Sequence, residues 1–325
     1  MDRSGARVRR RLAALAIVVF GAVLAAAGFT PAEATAPGQN GRIVFASDIT
    51  GTWQLLSMKP NGLNVRLLTN LPDAGRQDLF SAVSPDGTRI VFNFNDGQGA
   101  GDELFVMNAN GSDMTQLTDD PGYYHAVPSW SPDGTRVLFA RCTDFSCGIS
   151  AIGADGSDLV EITPQGSDFG PEYTPDGSRI VFESQRGGRI SALWVMNADG
   201  SGAHRLTPGR LRAGGADVSP DGTRVVFFSN QNYPKPQSLW ELNLDGTGLH
   251  RLTRPPQGHS DLWPMYSPDG RFITFASDRL YGDFCCLDVW RMNADGTGAI
   301  PLTSNLTPDS CQDANCVYPV WGPKP

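Results

Sequence analysis

A four-residue turn, Ser-Pro-Asp-Gly or its Thr variant, returns along this 325-residue chain at nearly constant spacing. It stands at Ser84-Pro85-Asp86-Gly87, Ser131-Pro132-Asp133-Gly134, Thr174-Pro175-Asp176-Gly177, Ser219-Pro220-Asp221-Gly222 and Ser267-Pro268-Asp269-Gly270, so successive copies begin 47, 43, 45 and 48 residues apart. Pro pre-sets φ for the turn, Asp bonds amides two residues on, and Gly takes a left-handed position without steric cost. Apolar runs flank each copy, as Val127–Trp130 and Val137–Phe139 do around Ser131, and read as the two strands of a hairpin.

A second turn follows each hairpin, at Pro60-Asn61-Gly62, Ala109-Asn110-Gly111, Ala154-Asp155-Gly156, Ala198-Asp199-Gly200, Leu244-Asp245-Gly246 and Ala294-Asp295-Gly296. Asn-Gly and Asp-Gly are the strongest short hairpin signals. Each unit closes on a Leu-Thr or Ile-Thr pair: Leu68-Thr69, Leu117-Thr118, Ile162-Thr163, Leu206-Thr207, Leu252-Thr253 and Leu302-Thr303. A period in the forties built of four strands predicts propeller blades. In the unit containing Ser131 the expected strands end at Trp130, run over Arg136–Ala140 and Gly148–Ile152, and end at Glu161-Ile162-Thr163. The Trp and Met residues of third strands, as in Leu193-Trp194-Val195-Met196, are expected to fill the space between blades.

The two ends of the repeat are incomplete in complementary ways. Gly41–Phe45 matches a second strand with no inner strand before it; Tyr318–Pro323 matches an inner strand with no second strand after it. Pairing them completes the first blade and removes the open sheet edge that would otherwise invite aggregation. The fold class is therefore all-β, a six-bladed β-propeller closed by the C-terminal strand. A single domain is expected over residues 35–325.

The repeats resemble the TolB-like propeller family, whose marks are a W-S-P-D-G turn, present as Trp130–Gly134, and an N-A-D-G-S…L-T ending, present as Asn197–Ser201 and Leu206-Thr207. The resemblance spans roughly residues 40–323. It implies the propeller fold and says little about activity. The domain that the family places before its propeller is expected to have no room here, and no α/β-hydrolase domain is expected after it.

At the N-terminus, basic residues within Arg7–Arg11 precede an apolar run over residues 12–27 and the small-residue site Ala32-Glu33-Ala34. That order predicts a secretory signal peptide over residues 1–34, an exported chain that is secreted, periplasmic or envelope-associated, and no stable membrane span after cleavage. A retained anchor is the alternative. Cleavage takes the net charge from −8 to −11, because residues 1–34 carry five Arg against one Asp and one Glu. An acidic chain excludes the basic footprint of a nucleic-acid binder.

Six cysteines in an exported chain favour disulfides. Cys142 and Cys147 flank a four-residue loop and suit a hairpin clamp. Cys285 and Cys286 occupy the equivalent loop of the sixth unit and face Cys311 and Cys316 in the closing connection. One or two bridges there, or a Cys311–Cys316 loop with a vicinal Cys285–Cys286 bridge, are compatible with the spacing; a four-thiolate metal site is the weaker alternative, because C-x4-C with an adjacent Cys pair is not a usual zinc spacing.

Chemistry is sought six residues before each turn, where Asp78, His125, Asp168, Ala213, Asp261 and Cys316 stand. Carboxylates and an imidazole at the channel mouth suit a cation or a hydroxylated or basic ligand, or else cap their own loops. Tyr124 and His125 in the third blade and His259, Asp261 and Trp263 in the sixth lie on opposite sides of a six-bladed ring. Ligand-binding candidates are thus Asp78, Tyr124, His125, Asp168, His259, Asp261 and Trp263. His204 and His250 are expected on the surface of outer strands. The turn aspartates are expected to bond their own turns. No G-x-S-x-G, H-E-x-x-H or phosphate-binding Gly loop occurs. The expected function is a non-catalytic scaffold that binds a protein, peptide or envelope polymer, with no cofactor beyond an admissible channel cation. The alternative is a metal-assisted lyase or hydrolase acting on an acidic sugar or lactone through His125 and His259.

Overall fold

The computed structural model describes residues 38–72, 79–95, 101–230, 236–280, 287–306 and 316–325. The leader expected over residues 1–34, Asp78, Cys285, Cys286 and Cys311 lie outside the described residues, as does the side chain of Cys316. Among the described residues, strands form six four-stranded antiparallel sheets, each ordered from an inner to an outer strand. Five blades use consecutive strands. The first takes its inner strand, Cys316–Pro323, from the C-terminal end, paired with Asn40–Ser47 in the register Ser47 opposite Cys316 and Val44 opposite Val320. The ring therefore closes as the incomplete end repeats require. Lys324 reinforces the seam by donating its amide to Gln39 O at 2.7 Å.

Identical positions hold identical jobs in all six blades. The second strands carry Phe45, Phe92, Phe139, Phe182, Phe227 and Phe275, all fully buried. The outer strands are shorter than the sequence suggests, only two residues each, such as Val160–Glu161. The Leu-Thr pair follows the strand and turns inward. There Thr69, Thr118, Thr163, Thr207, Thr253 and Thr303 each accept, on the side-chain hydroxyl, an amide N–H near the start of the third strand at 2.9–3.0 Å. A buried amide with no partner would cost about 1–3 kcal/mol, which explains why this hydroxyl recurs.

The Ser-Pro-Asp-Gly turn is a closed hydrogen-bond unit. Ser131 Oγ donates to Asp133 Oδ1 at 2.6 Å, the Thr135 amide donates to the same oxygen at 3.0 Å, and the Arg136 amide donates to Ser131 Oγ at 2.9 Å. Burial would raise the pKa of Asp86, Asp133, Asp176, Asp221 and Asp269, but the bonds that each accepts outweigh it and hold all five below the usual carboxylate range. The turns also gear neighbouring blades together. A Cβ added to Gly134, Gly177, Gly222 or Gly270 would sit 3.6–3.8 Å from Pro85, Pro132, Pro175 or Pro220 of the preceding blade.

In the third blade the second and third strands run to Cys142 and from Cys147, beyond the expected Ala140 and Gly148, because the disulfide between these cysteines continues the ladder. Third-strand Met107, Met196 and Met292 and Trp290 are buried between blades, as expected of interblade packing. His204 and His250 are exposed on outer strands.

Candidate functional site

Five of the inner strands carry a β-bulge at one place. Val127, Gly170, Gly215, Trp263 and Tyr318, each four residues before the turn position, have φ between 47° and 57°, where the ladder register slips. A left-handed conformation is nearly free for Gly but costs about 1–2 kcal/mol for a side chain. At Val127, Trp263 and Tyr318 the fold holds a β-branched or aromatic residue in a strained conformation, a pattern that clusters at functional sites.

The bulge aims two layers of side chains at the propeller axis, around a cavity of about 460 Å³. The layer four residues before the turn is Phe80, Val127, Gly170, Gly215, Trp263 and Tyr318; the layer two residues before it is Ala82, Ser129, Glu172, Asp217, Met265 and Val320. The turn prolines Pro85, Pro132, Pro175, Pro220 and Pro268, with Pro323, line the same cavity beyond these layers.

The wall is two-sided. On blades 1, 2 and 6, Tyr318 lies 4.3 Å from the Phe80 ring centroid and 4.4 Å from that of Trp263, and Phe228 of blade 5 meets Trp263 edge-on at 6.3 Å. On blades 4 and 5, glycine replaces the inward side chain, and residues of the second strand come through. A Cβ on Gly215 would sit 2.6 Å from Phe228, and one on Gly170 would sit 3.2 Å from Glu183 Oε1. Glu183 accepts the Gly215 amide at 2.6 Å, and Asp217 accepts the Tyr266 amide at 2.7 Å.

Glu172, Glu183 and Asp217 thus share one side of the cavity. Burial pushes Glu183 and Asp217 up to about 7. Burial and the neighbouring Asp217 charge push Glu172 well above the usual carboxylate range. No Lys, Arg or His stands among the described lining residues. The arrangement can accept hydrogen bonds and positive charge on one side and stack planar or apolar groups on the other. Among the described residues no three His, Cys, Asp or Glu side chains converge as a metal-binding group.

Of the described residues singled out from sequence as ligand candidates, Trp263 faces this cavity. Asp168 is paired with Arg186 and accepts Ser184 Oγ at 2.6 Å. Asp261 is paired with Arg279 at 2.6 Å and accepts Ser277 Oγ at 2.8 Å. These carboxylates are spent inside their own blades. His125 is fully buried, its Nδ1 3.0 Å from Glu103 Oε2 and its ring edge-on to Phe139 at 5.2 Å. Burial would raise Glu103, but the bonds from His125, Thr118 and the Asp120 amide hold it below its ordinary range. Tyr124 is half-buried beside Cys142. His259 Nδ1 lies 2.9 Å from Asp278 O, so the two imidazoles bond to different residues. Glu172, Glu183, Asp217, Phe80 and Tyr318 line the cavity and were not singled out from the sequence. The available signal was disagreement among repeats two and four residues before the turn, together with Gly170 and Gly215.

The TolB beta propeller domain model matches residues 122–305, more than half of the chain. This chain belongs to the TolB β-propeller family. Within it, a Tol-Pal system protein TolB of Anaeromyxobacter dehalogenans is 33% identical over 105 residues, which are 32% of this chain and 24% of that protein. An uncharacterized protein of Agrobacterium fabrum is 29% identical over 148 residues, 45% of this chain and 49% of that protein. The chain therefore spans about half or less of the length of these curated relatives. The crystal structure of TolB from Acinetobacter baumannii superposes with a TM-score of 0.71 at 20% identity, covering 87% of this chain and 67% of that one, and so shares the propeller fold.

Proposed function

We propose that this TolB-like propeller is an exported, non-catalytic binding module that takes an extended peptide segment of another protein into its axial cavity. The observation that carries this reading is the two-sided cavity, with its aromatic wall set by strained, left-handed residues. Binding sites are concave, largely apolar and supplied with a few convergent polar groups, and a cavity of about 460 Å³ fits that description. Rigid aromatic side chains anchor partners at low entropic cost. The leader expected from the sequence, the Cys142–Cys147 disulfide and the Tol-Pal name of a relative support an envelope setting.

The test is selection of unstructured dodecapeptides from a displayed library on the purified chain. Binders are then titrated against wild type, Trp263→Ala and Phe145→Ala; Phe145 is an exposed residue outside the cavity. Loss of at least tenfold in affinity with Trp263→Ala, and none with Phe145→Ala, supports the reading. Envelope polysaccharide that binds in a Trp263-dependent way, with no peptide doing so, replaces the partner class. Turnover of an oligosaccharide or lactone that His125→Ala abolishes in folded protein overturns the reading in favour of an enzyme.

A further inference from the structure

We propose that the cavity recognises a cationic side chain, an Arg or Lys of the bound segment, whose charged head lodges against Glu172, Asp217 and Glu183 while its stem and flanking residues lie along Tyr318 and Trp263. This inference rests on the peptide-docking reading and adds the chemistry of the anchor.

The first argument is charge matching. Five other buried or half-buried acids have an internal cation: Asp168 has Arg186, Asp261 has Arg279, Asp120 has Arg141, Glu241 has Arg224, and Glu103 has His125. The three cavity acids differ. Asp217 and Glu183 are met by the Tyr266 and Gly215 amides. The described cavity lining holds no basic group. Carboxylates withdrawn from water without a counter-charge are costly, and an arriving cation offsets that cost. Burial already raises all three, the Asp217 charge adds to it at Glu172, and a cation between them would reverse that trend.

The second argument is independent of the acids: the opposite wall is aromatic. A guanidinium or ammonium held between carboxylates and ring faces gains from both, by charge-assisted hydrogen bonds and by cation–π attraction. The chain itself stacks arginines in this way, with Arg141 3.4 Å from the Tyr123 ring centroid and Arg89 4.7 Å from that of Trp130. The third argument concerns size. The acids come from two neighbouring blades, Glu172 and Glu183 from the fourth and Asp217 from the fifth, and do not converge as a metal-ligating group among the described residues. A planar, multi-donor head spans such separated acceptors better than a bare ion does.

The experiment titrates full-length protein with acetyl-Ala-Ala-Arg-Ala-Ala-amide, its Lys counterpart and its citrulline counterpart, read by tryptophan fluorescence and by NMR shifts of the indole N–H groups. The citrulline peptide keeps shape and most hydrogen bonds but carries no charge. The Arg peptide is expected to bind at least tenfold more tightly than the citrulline peptide. That preference should vanish in Glu172→Gln and in Asp217→Asn, and persist in Asp144→Asn, an exposed acid of equal charge change outside the cavity. Because Asp217→Asn alters a buried bond, Glu172→Gln carries the test if the former fails to fold. Equal binding of Arg and citrulline peptides overturns the inference and leaves peptide docking standing. So does a set of Trp263-dependent library binders that lack Arg and Lys. Calcium or manganese binding that requires Glu172 and displaces the Arg peptide overturns it in favour of a metal. Absence of any Trp263-dependent peptide overturns the docking reading as well.

Discussion

Asp168 and Glu172 stand four residues apart on one inner strand of the fourth blade and have opposite surroundings. Asp168 is tied to Arg186 and Ser184, both supplied by the neighbouring second-strand end. Glu172 faces the cavity beside Asp217. The sixth blade repeats the first arrangement with Asp261, Ser277 and Arg279, and the fifth repeats the second with Asp217. One class of acid holds a blade's own strands together; the other is presented to the axis. The difference shows that acidic character near a channel mouth does not by itself mark a ligand site. What sets Glu172 and Asp217 apart is that they face a cavity whose described lining holds no Lys, Arg or His.

The sharpest way to break the contrast is to strip a paired acid of its partner. Arg279→Ala leaves the fully buried Asp261 uncompensated and is expected to destabilise the fold by about 3–5 kcal/mol in chemical denaturation. Adding Asp261→Asn should recover part of that loss. If Arg279→Ala is silent, the paired class does not hold the blade together.

Next in size is the glycine that opens the acidic side. Gly215→Ala places a methyl group 2.6 Å from Phe228 and forces a left-handed alanine. A loss of about 2–3 kcal/mol is expected from strain and overpacking. Gly134→Ala, at a turn where the nearest neighbour is 3.8 Å away, should lose less, mainly through its left-handed backbone.

Acidity provides a gentler probe. Glu183 has a folded pKa of about 7, above its unfolded value, so between these two values the folded state binds more protons than the unfolded state. Its contribution to stability is fully present below the unfolded value and is lost as pH rises through about 7. The other titratable groups on the described cavity wall are Glu172, Asp217, Tyr173, Tyr266 and Tyr318. Glu183→Gln should therefore raise the melting temperature by a few degrees at pH 8 relative to wild type and bring no gain at pH 4. For the same reason, a cationic peptide should bind more tightly as pH rises through neutrality. An opposite slope for either would remove the unpaired class.

The smallest effect belongs to the turns. Asp133→Asn keeps an acceptor for Ser131 and Thr135 and should cost about 1 kcal/mol or less, with no change in peptide affinity.

The fold was legible because its information is local and repeated. Each Ser-Pro-Asp-Gly bonds within itself, and the half-repeats Gly41–Phe45 and Tyr318–Pro323 announce their pairing. The site was less legible for two physical reasons. The arginines that neutralise Asp168 and Asp261 lie eighteen residues later, beyond the hairpin turn, in Ser184-Gln185-Arg186 and Ser277-Asp278-Arg279. Nothing in the inner-strand sequence shows that they fold back. The bulge then changes which residues face the axis. In three blades it falls on Val127, Trp263 and Tyr318, residue types that give no hint of a left-handed backbone. Gly170 and Gly215 carried the visible cue.

The seam of the ring has a temporal consequence. Tyr318 lies on the strand that completes the first blade, yet it is also the middle of the aromatic wall, between Phe80 and Trp263. A chain emerging from its N-terminus builds the carboxylate side long before that strand arrives. Until then the circle is open and the aromatic wall lacks its middle ring. On the docking reading proposed above, competence to bind waits for the strand that closes the ring, and the site then reports that the propeller has been joined.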